Sequence, residues 1–384
     1  MPSHDGRGLV NVIAELEARL AGNAPSPRLA HDLASAIPDS SSYILVMFDG
    51  LGDAQLAHPA AAALAASRAG VIDAPFPTTT VVSLATIATG LSPSRHGAIA
   101  HLLWLPELQM VVNTLKWVTK TGDLVGYPTI DWLPRPNLWE RLAAAGVATA
   151  TVQPGDFATT PLTGALYRGT EFVPFDSPEE AVAVTIEAAL RPGLVFLCLP
   201  DIDYAAHVFG QESEEYGDTL LAASRLWTDL GSGLPEGATV VGMADHGILD
   251  VGEGDKLIVR DPDYDMLDLY GDPRGVMGRG SKRLLGRLAE RTGARLVEPH
   301  ELRRWFGPGP ALAELDGRLP DALLLAPEGK VILPRGFDKR LRGYHGGLDE
   351  REVRVPLLVG SKSHGLEAST RRPVGVSSRE TLRP

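Results

Sequence analysis

Three aspartates, Asp49, Asp203 and Asp245, each sit just beyond a short apolar run, and two of them have a histidine beside them, His207 and His246. Asp203 and His207 are four apart, so on a helix they share one face a turn apart, which suits two ligands of one metal ion. Asp245 and His246 are adjacent, and in a loop past a strand both side chains can turn toward an ion. His345 stands in Gly343-Tyr344-His345-Gly346-Gly347, where glycines admit close backbone approach. Carboxylates and imidazoles without thiolates fit Zn²⁺, with Mn²⁺ or Fe²⁺ as alternatives. One acid after a strand is commonplace as a helix N-cap, and a lone D-x-x-x-H is common on amphipathic helices. Three such acids, two with a histidine, form a stronger pattern. Pro77-Thr78-Thr79-Thr80 adds a second component. It leads into a segment that closes at Gly90, a residue that stops helices, which places Thr80 at a helix N-terminus. There the backbone N–H groups and the dipole favour a phosphate or an alkoxide. Alone, the segment reads as a plain threonine N-cap. A threonine hydroxyl is a poor nucleophile without a base or a metal, and the aspartates and histidines supply the metal.

These residues need elements to bring them together. Apolar runs at 43–48, 148–152, 194–199, 239–244 and 355–359 lack alternation and suit strands covered on both faces. Helical segments separate them. One, near 140–145, ends at Gly146; another opens with Ser177-Pro178-Glu179-Glu180, an N-cap, a first-turn proline and a capping glutamate. The βαβα rhythm predicts a three-layer αβα domain with a mainly parallel sheet, whose ligands bind at the carboxyl ends of the strands. From 261 to 334 the rhythm changes. A helix near 282–291, turns around Gly307-Pro308-Gly309-Pro310 and strands at 322–326 and 330–333 predict a small α+β cap, the alternative being further elements of the main sheet. The expected organisation is a helical segment at 1–40, a catalytic α/β domain from 41–260 and 335–360, the cap at 261–334 and a polar tail at 361–384.

Composition narrows the classes of function. The 384 residues carry 36 Lys+Arg against 48 Asp+Glu, a formal net charge of -12, which disfavours a nucleic-acid-binding surface. Cys198 is the single cysteine, so no internal disulfide forms, and it reads as a small core residue. The first residues lack a signal-peptide pattern and no apolar run reaches membrane-spanning length, so the expected compartment is the cytoplasm, with no membrane contact. Oligomeric state is not readable.

Taken in order, Phe48-Asp49-Gly50, the Pro77–Thr80 run, Thr89-Gly90-Leu91-Ser92-Pro93-Ser94-Arg95-His96-Gly97, the Asp203/His207 pair, Ala244-Asp245-His246-Gly247 and His345-Gly346-Gly347 resemble the alkaline phosphatase superfamily. The block from Pro77 to Gly97 is most similar to its type I phosphodiesterase/nucleotide pyrophosphatase branch, which has a threonine nucleophile. The resemblance implies two zinc ions. Asp203, His207 and His345 would hold one; Asp49, Asp245 and His246 would hold the other, with Thr80 on the second as its alkoxide. It further implies in-line attack by Thr80 on phosphorus through a covalent phospho-threonine, the two ions stabilising the attacking and leaving oxygens. The expected activity is hydrolysis of a phosphodiester or pyrophosphate bond in a small phosphate ester or nucleotide-like substrate.

Two positions depart from that branch. Asparagine is usual three and twenty-one residues after the nucleophile, where this chain has Ser83 and His101, which the resemblance makes the candidates to contact the substrate. His101 would replace an amide that contacts a phosphoryl oxygen, and as imidazolium it would favour a monoester dianion. Alternatives within the superfamily are therefore a phosphomonoesterase, a phosphonate hydrolase or a phosphomutase relative. Outside enzymes, the alternative is a silent metal protein binding a nucleotide or lipid head group. A sulfatase lacks its usual nucleophile motif here. Trp104, Trp117 and Trp132 are candidates for a leaving-group pocket or for ordinary core. Asp201 reads as a cap beside the better ligand Asp203, and His96 reads as structural.

Overall fold

A computed structural model describes residues 1–126 and 129–360, with a seven-stranded sheet at its centre. The strand order is Arg68–Asp73, Arg354–Gly360, Ala238–Met243, Ser42–Phe48, Gly193–Leu199, Ala148–Pro154 and Glu171–Phe175. Neighbours from Ala238–Met243 through Glu171–Phe175 pair parallel, and Arg354–Gly360 runs antiparallel to both strands beside it. Every residue of Ser42–Phe48 and Gly193–Leu199 is buried, as unalternating apolar strands require. The register shows how both faces are covered. Leu45 stands opposite Phe196, so the two point to one face, where Phe196 lies 6.2 Å from Trp139 of helix Leu138–Ala144. Phe48, an odd number of residues beyond Leu45, points the other way and meets Trp227 of helix Glu214–Gly233 at 6.0 Å. The architecture is therefore αβα around a mainly parallel sheet. Arg68–Asp73 and Glu171–Phe175, without an apolar run to announce them, are the two outermost strands and are partly exposed.

The predicted strands of the 261–334 segment do not extend this sheet. Ala322–Leu325 joins a second seven-stranded sheet in the order Arg295–Val297, Ala322–Leu325, Gly275–Arg279, Asp268–Asp272, Leu102–Leu105, Met110–Asn113 and Val118–Thr119. The last three of these come from 102–119, inside the stretch read from sequence as the catalytic domain, and they connect where Gly271 pairs with Leu102. Val331–Leu333 pairs instead with Lys256–Ile258. Helix Lys282–Thr292 packs Leu285 and Leu288 into a separate small core with Val276, Leu324 and Ile332. The tail at 361–384 lies outside the described residues. No described helix is long and apolar enough to cross a membrane.

Candidate active site

The parallel strands end in one place and deliver their acids there. Asp49 follows Ser42–Phe48; Asp203 lies in the first turn of helix Asp201–Phe209, which follows Gly193–Leu199; Asp245 follows Ala238–Met243. Backbone contacts fix their spacing: the Asp203 N–H donates to the Asp49 carbonyl at 3.0 Å, and the Gly50 N–H donates to Asp245 Oδ1 at 3.0 Å. Gly50 has φ 77, and a Cβ there would lie 2.8 Å from the Asp203 backbone, so only glycine fits. Two groups of three result, Asp203 with His207 and His345, and Asp49 with Asp245 and His246, the donor atoms of each within 4.8 Å of one another. The groups abut, because the rings of His246 and His345 stack at 3.8 Å and 17°. Thr80 opens helix Thr80–Thr89, which closes at Gly90 with φ 64. Its Oγ1 lies 3.2 Å from His246 Nε2 and 3.4 Å from Asp49 Oδ1, on the second group.

The donor set fits divalent cations. Each histidine directs Nδ1 at a backbone carbonyl, His207 to Gly343 at 2.7 Å, His246 to Gly247 at 3.1 Å and His345 to Thr78 at 2.8 Å. A carbonyl only accepts, so each Nδ1 carries a proton, and Nε2 is the inward-facing atom through which each ring could ligate an ion. In the first group, His207 Nε2 and His345 Nε2 are 3.2 Å apart, and Asp203 Oδ2 is 3.2 Å from His207 Nε2. In the second, His246 Nε2 is 3.2 Å from Asp245 Oδ2 and 3.7 Å from Asp49 Oδ1. Asp203 Oδ1 and Asp245 Oδ2 are buried with no hydrogen-bond partner among the described residues. Ring nitrogens and carboxylate oxygens converging in this way call for a cation. Burial, then the charges of Asp245 and Asp203, push Asp49 well above the usual carboxylate range. Burial acts on Asp203 the same way, but His207 and His345 outweigh it and hold that carboxyl low.

Residues 43–282, more than half of the chain, match the profile of the type I phosphodiesterase/nucleotide pyrophosphatase family. The chain belongs to this family. It is accordingly a hydrolase of phosphoric esters, in a family that depends on metals. Among solved structures it is similar to murine ectonucleotide pyrophosphatase/phosphodiesterase 5, an inactive variant in complex with AMP, at 19% identity and TM-score 0.65, covering 83% of this chain and 88% of that one. It is also similar to the phosphonoacetate hydrolase of Sinorhizobium meliloti in complex with phosphonoformate, at 20% identity and TM-score 0.60, covering 87% and 92%. These likenesses carry the alkaline phosphatase-like fold. No curated protein matches in sequence.

This phosphodiesterase-family chain treats the two departing positions differently. Ser83, a candidate substrate contact, is wholly buried, and its hydroxyl donates to the Asp245 carbonyl at 2.7 Å, which braces the Asp245-His246 loop. His101 lies at the edge of the second sheet, within the electrostatic reach of His207, with Nε2 buried and without a partner among the described residues. Burial pushes it down to about 4, so it is neutral at pH 7, and the expected imidazolium is not formed. Trp117 and Trp132 pack edge to face at 5.3 Å in the core, and Trp104 lies under the Arg279 guanidinium at 4.7 Å. Asp201 belongs to neither group of ligands; it lines a cavity of about 570 Å³ on the other side of its helix, with Phe48, Phe175, Asp156 and Asp218. Three supporting residues escaped sequence reasoning: Thr78, Asp272 and Glu352. Glu352 alone had a signal, the Asp349-x-x-Glu352 capping box.

Proposed function

We propose that the chain hydrolyses phosphodiester or pyrophosphate bonds of small molecules through a covalent phospho-threonine at Thr80. The observation that carries this reading is the Thr80 hydroxyl, set 3.2 Å from His246 Nε2 on one of two abutting groups of metal donors. Asp203, His207 and His345 would hold one divalent ion and Asp49, Asp245 and His246 the other, zinc being the first candidate for this donor set. The ions supply positive charge for the attacking, leaving and non-bridging oxygens of phosphorus. Thr80 Oγ1 forms a bond to phosphorus as the bond to the leaving alcohol or phosphate breaks. Water then cleaves the phospho-threonine and frees Thr80. Thr80 Oγ1 sits beside His246 Nε2 and Asp49 Oδ1, the donors that would hold the second ion, so it would meet that ion as an alkoxide with its proton passed to solvent, and the N-terminus of helix Thr80–Thr89 favours the negative charge that gathers there.

Charge supports a diester. Asp49, Asp203, Asp245 and an ionised Thr80 together balance two divalent ions, and a neutral His101 adds nothing. Such a site suits the single charge of a diester better than the double charge of a monoester. The buried, unpartnered Nε2 of His101 supports it as the contact to a phosphoryl oxygen, taking the place of the family's asparagine. The deciding experiment measures Thr80→Ala on bis(4-nitrophenyl) phosphate, together with metal content. Turnover should vanish while the metal content stays that of wild type; retained turnover would exclude Thr80 as nucleophile.

A further inference from the structure

We propose that Thr78 is a positioning residue that holds the nucleophile segment and the His345 turn in a single register, an inference that rests on the two-ion reading above. Thr78 is two residues ahead of Thr80 and wholly buried. It touches three successive residues of the distant turn. Its carbonyl accepts from His345 Nδ1 at 2.8 Å; its hydroxyl accepts from the Gly346 N–H at 3.1 Å and donates to the Gly347 carbonyl at 3.0 Å. The carbonyl thereby fixes the His345 tautomer that leaves Nε2 free to ligate, and the hydroxyl fixes the turn that carries the ring.

The rest of the turn has no slack to absorb a shift. A Cβ on Gly346, whose φ is 111, would lie 2.4 Å from the Asp272 Cβ, and a Cβ on Gly347 would lie 2.7 Å from Glu352 Oε2. Glu352 grips the far side, accepting from the Gly347 N–H at 2.8 Å and the Asp349 N–H at 3.2 Å, and is itself held by Arg274 at 3.0 Å. Asp272 and Glu352 come from elements unconnected to the nucleophile, whereas Thr78 belongs to the segment that bears it. The three threonines thus divide the work: Thr78 ties the segment to His345, Thr79 takes the N-cap position while its side chain bonds Asp272 rather than the helix, and Thr80 turns its hydroxyl to His246 and the proposed metal donors.

Thr78→Val keeps the shape and removes the two hydroxyl bonds, while Thr78→Ser keeps them. Metal-free full chain is titrated with Zn²⁺ against a chromogenic chelator and assayed on the nitrophenyl diester. In Thr78→Val one of the two zinc affinities should fall by about 10–100-fold and kcat by a comparable factor, with Thr78→Ser restoring both. Unchanged kcat and zinc affinities in Thr78→Val overturn the proposal, and so does a Thr78→Ser variant as impaired as the valine. Should Thr78→Val not fold, nitrogen NMR of the labelled histidine rings in metal-free wild type decides. A Nδ1–H tautomer at His345 with a slowly exchanging ring proton supports the link to Thr78, and an Nε2–H tautomer refutes it. Wild type that binds no zinc but keeps this signature refutes the two-ion reading and leaves the link standing.

Discussion

Replacing His101 by asparagine, and separately by alanine, distinguishes the loss of a hydrogen-bond donor from the loss of a charge. Burial pushes the imidazole down to about 4, so at pH 7 about one molecule in a thousand carries the imidazolium. The ring is oriented by Asn113, and its Nε2 has no partner among the described residues, which leaves it for a phosphoryl oxygen. Removing one preorganised donor at a developing oxyanion costs about 10²–10³ in kcat, or ~3–4 kcal/mol. His101→Ala should therefore lower kcat/KM on bis(4-nitrophenyl) phosphate by about 10²-fold or more. His101→Asn restores a neutral N–H and should recover most of that loss. Neither change removes a charge, so the ratio of diester to monoester rates, read against 4-nitrophenyl phosphate, should stay within about threefold of wild type. A ratio moved more than about tenfold toward the diester by His101→Asn would show a charged histidine at work and would refute the neutral-site reasoning.

Glu352→Ala strands the Arg274 guanidinium, whose side chain is 3% exposed, and frees two backbone N–H groups. Urea unfolding should show a loss of about 3–5 kcal/mol, and a loss below about 1 kcal/mol would contradict the role given to the pair. His96 is held near 3 by burial, then by the Arg318 charge; its Nδ1 accepts from the Ala98 N–H, so the ring has no room for a second proton. Because the folded value is depressed, the unfolded chain takes the proton first, and the stabilisation present at neutral pH is lost as pH falls from about 6.5 toward 3. The stability advantage of wild type over His96→Gln should shrink by about 1.4 kcal/mol per pH unit across that window, and a constant difference would contradict it. Zinc at about a thousand times its dissociation constant should add ~4 kcal/mol per ion to stability, read as a thermal shift reversed by chelation. An unchanged melting temperature would count against both sites.

How much of this was legible in the sequence follows from where each residue's partners lie. The runs at 43–48, 194–199 and 239–244 announced themselves because strands buried on both faces cannot alternate. Arg68–Asp73 and Glu171–Phe175 stayed hidden because outermost strands tolerate polar residues and, at position 174, a proline. Leu102–Leu105 alternates over only four residues, too short a stretch to separate from a loop, so its place in the second sheet was invisible. Five of the six ligand candidates stood out because a parallel sheet exposes whatever follows each strand at its carboxyl edge, and His345, which follows the short antiparallel pair of Leu249–Asp250 and Gly343–Tyr344, stood out only through the glycines around it. Thr78 meets Gly347 across 269 positions, and Asp272 meets the His101 N–H across 171. No local period or spacing encodes contacts of that range, and the bond of Ser83 was hidden for the same reason, its acceptor Asp245 lying 162 residues away.

The acidity of the chain acquires a location from these contacts. Two buried carboxylates, Asp49 and Asp245, and the partly buried Asp203 crowd the ends of adjacent strands, and Asp49 is driven upward by burial and then by the charges of Asp245 and Asp203. Without cations, the folded chain must either hold a proton there or bear the repulsion, and both oppose the packing that brings the strands together. With two divalent ions the same crowding would become coordination, and any proton held among the carboxylates would be released as they bind. The residual charge at Thr80 then comes close to zero inside a protein of net charge -12. With both ions bound, an anion reaching Thr80 would meet positive charge nearby, while exposed carboxylates farther off are screened by salt within about 8–10 Å. Neutral His101 belongs to the same balance: an added cation there would tip the site toward doubly charged esters, and burial prevents it.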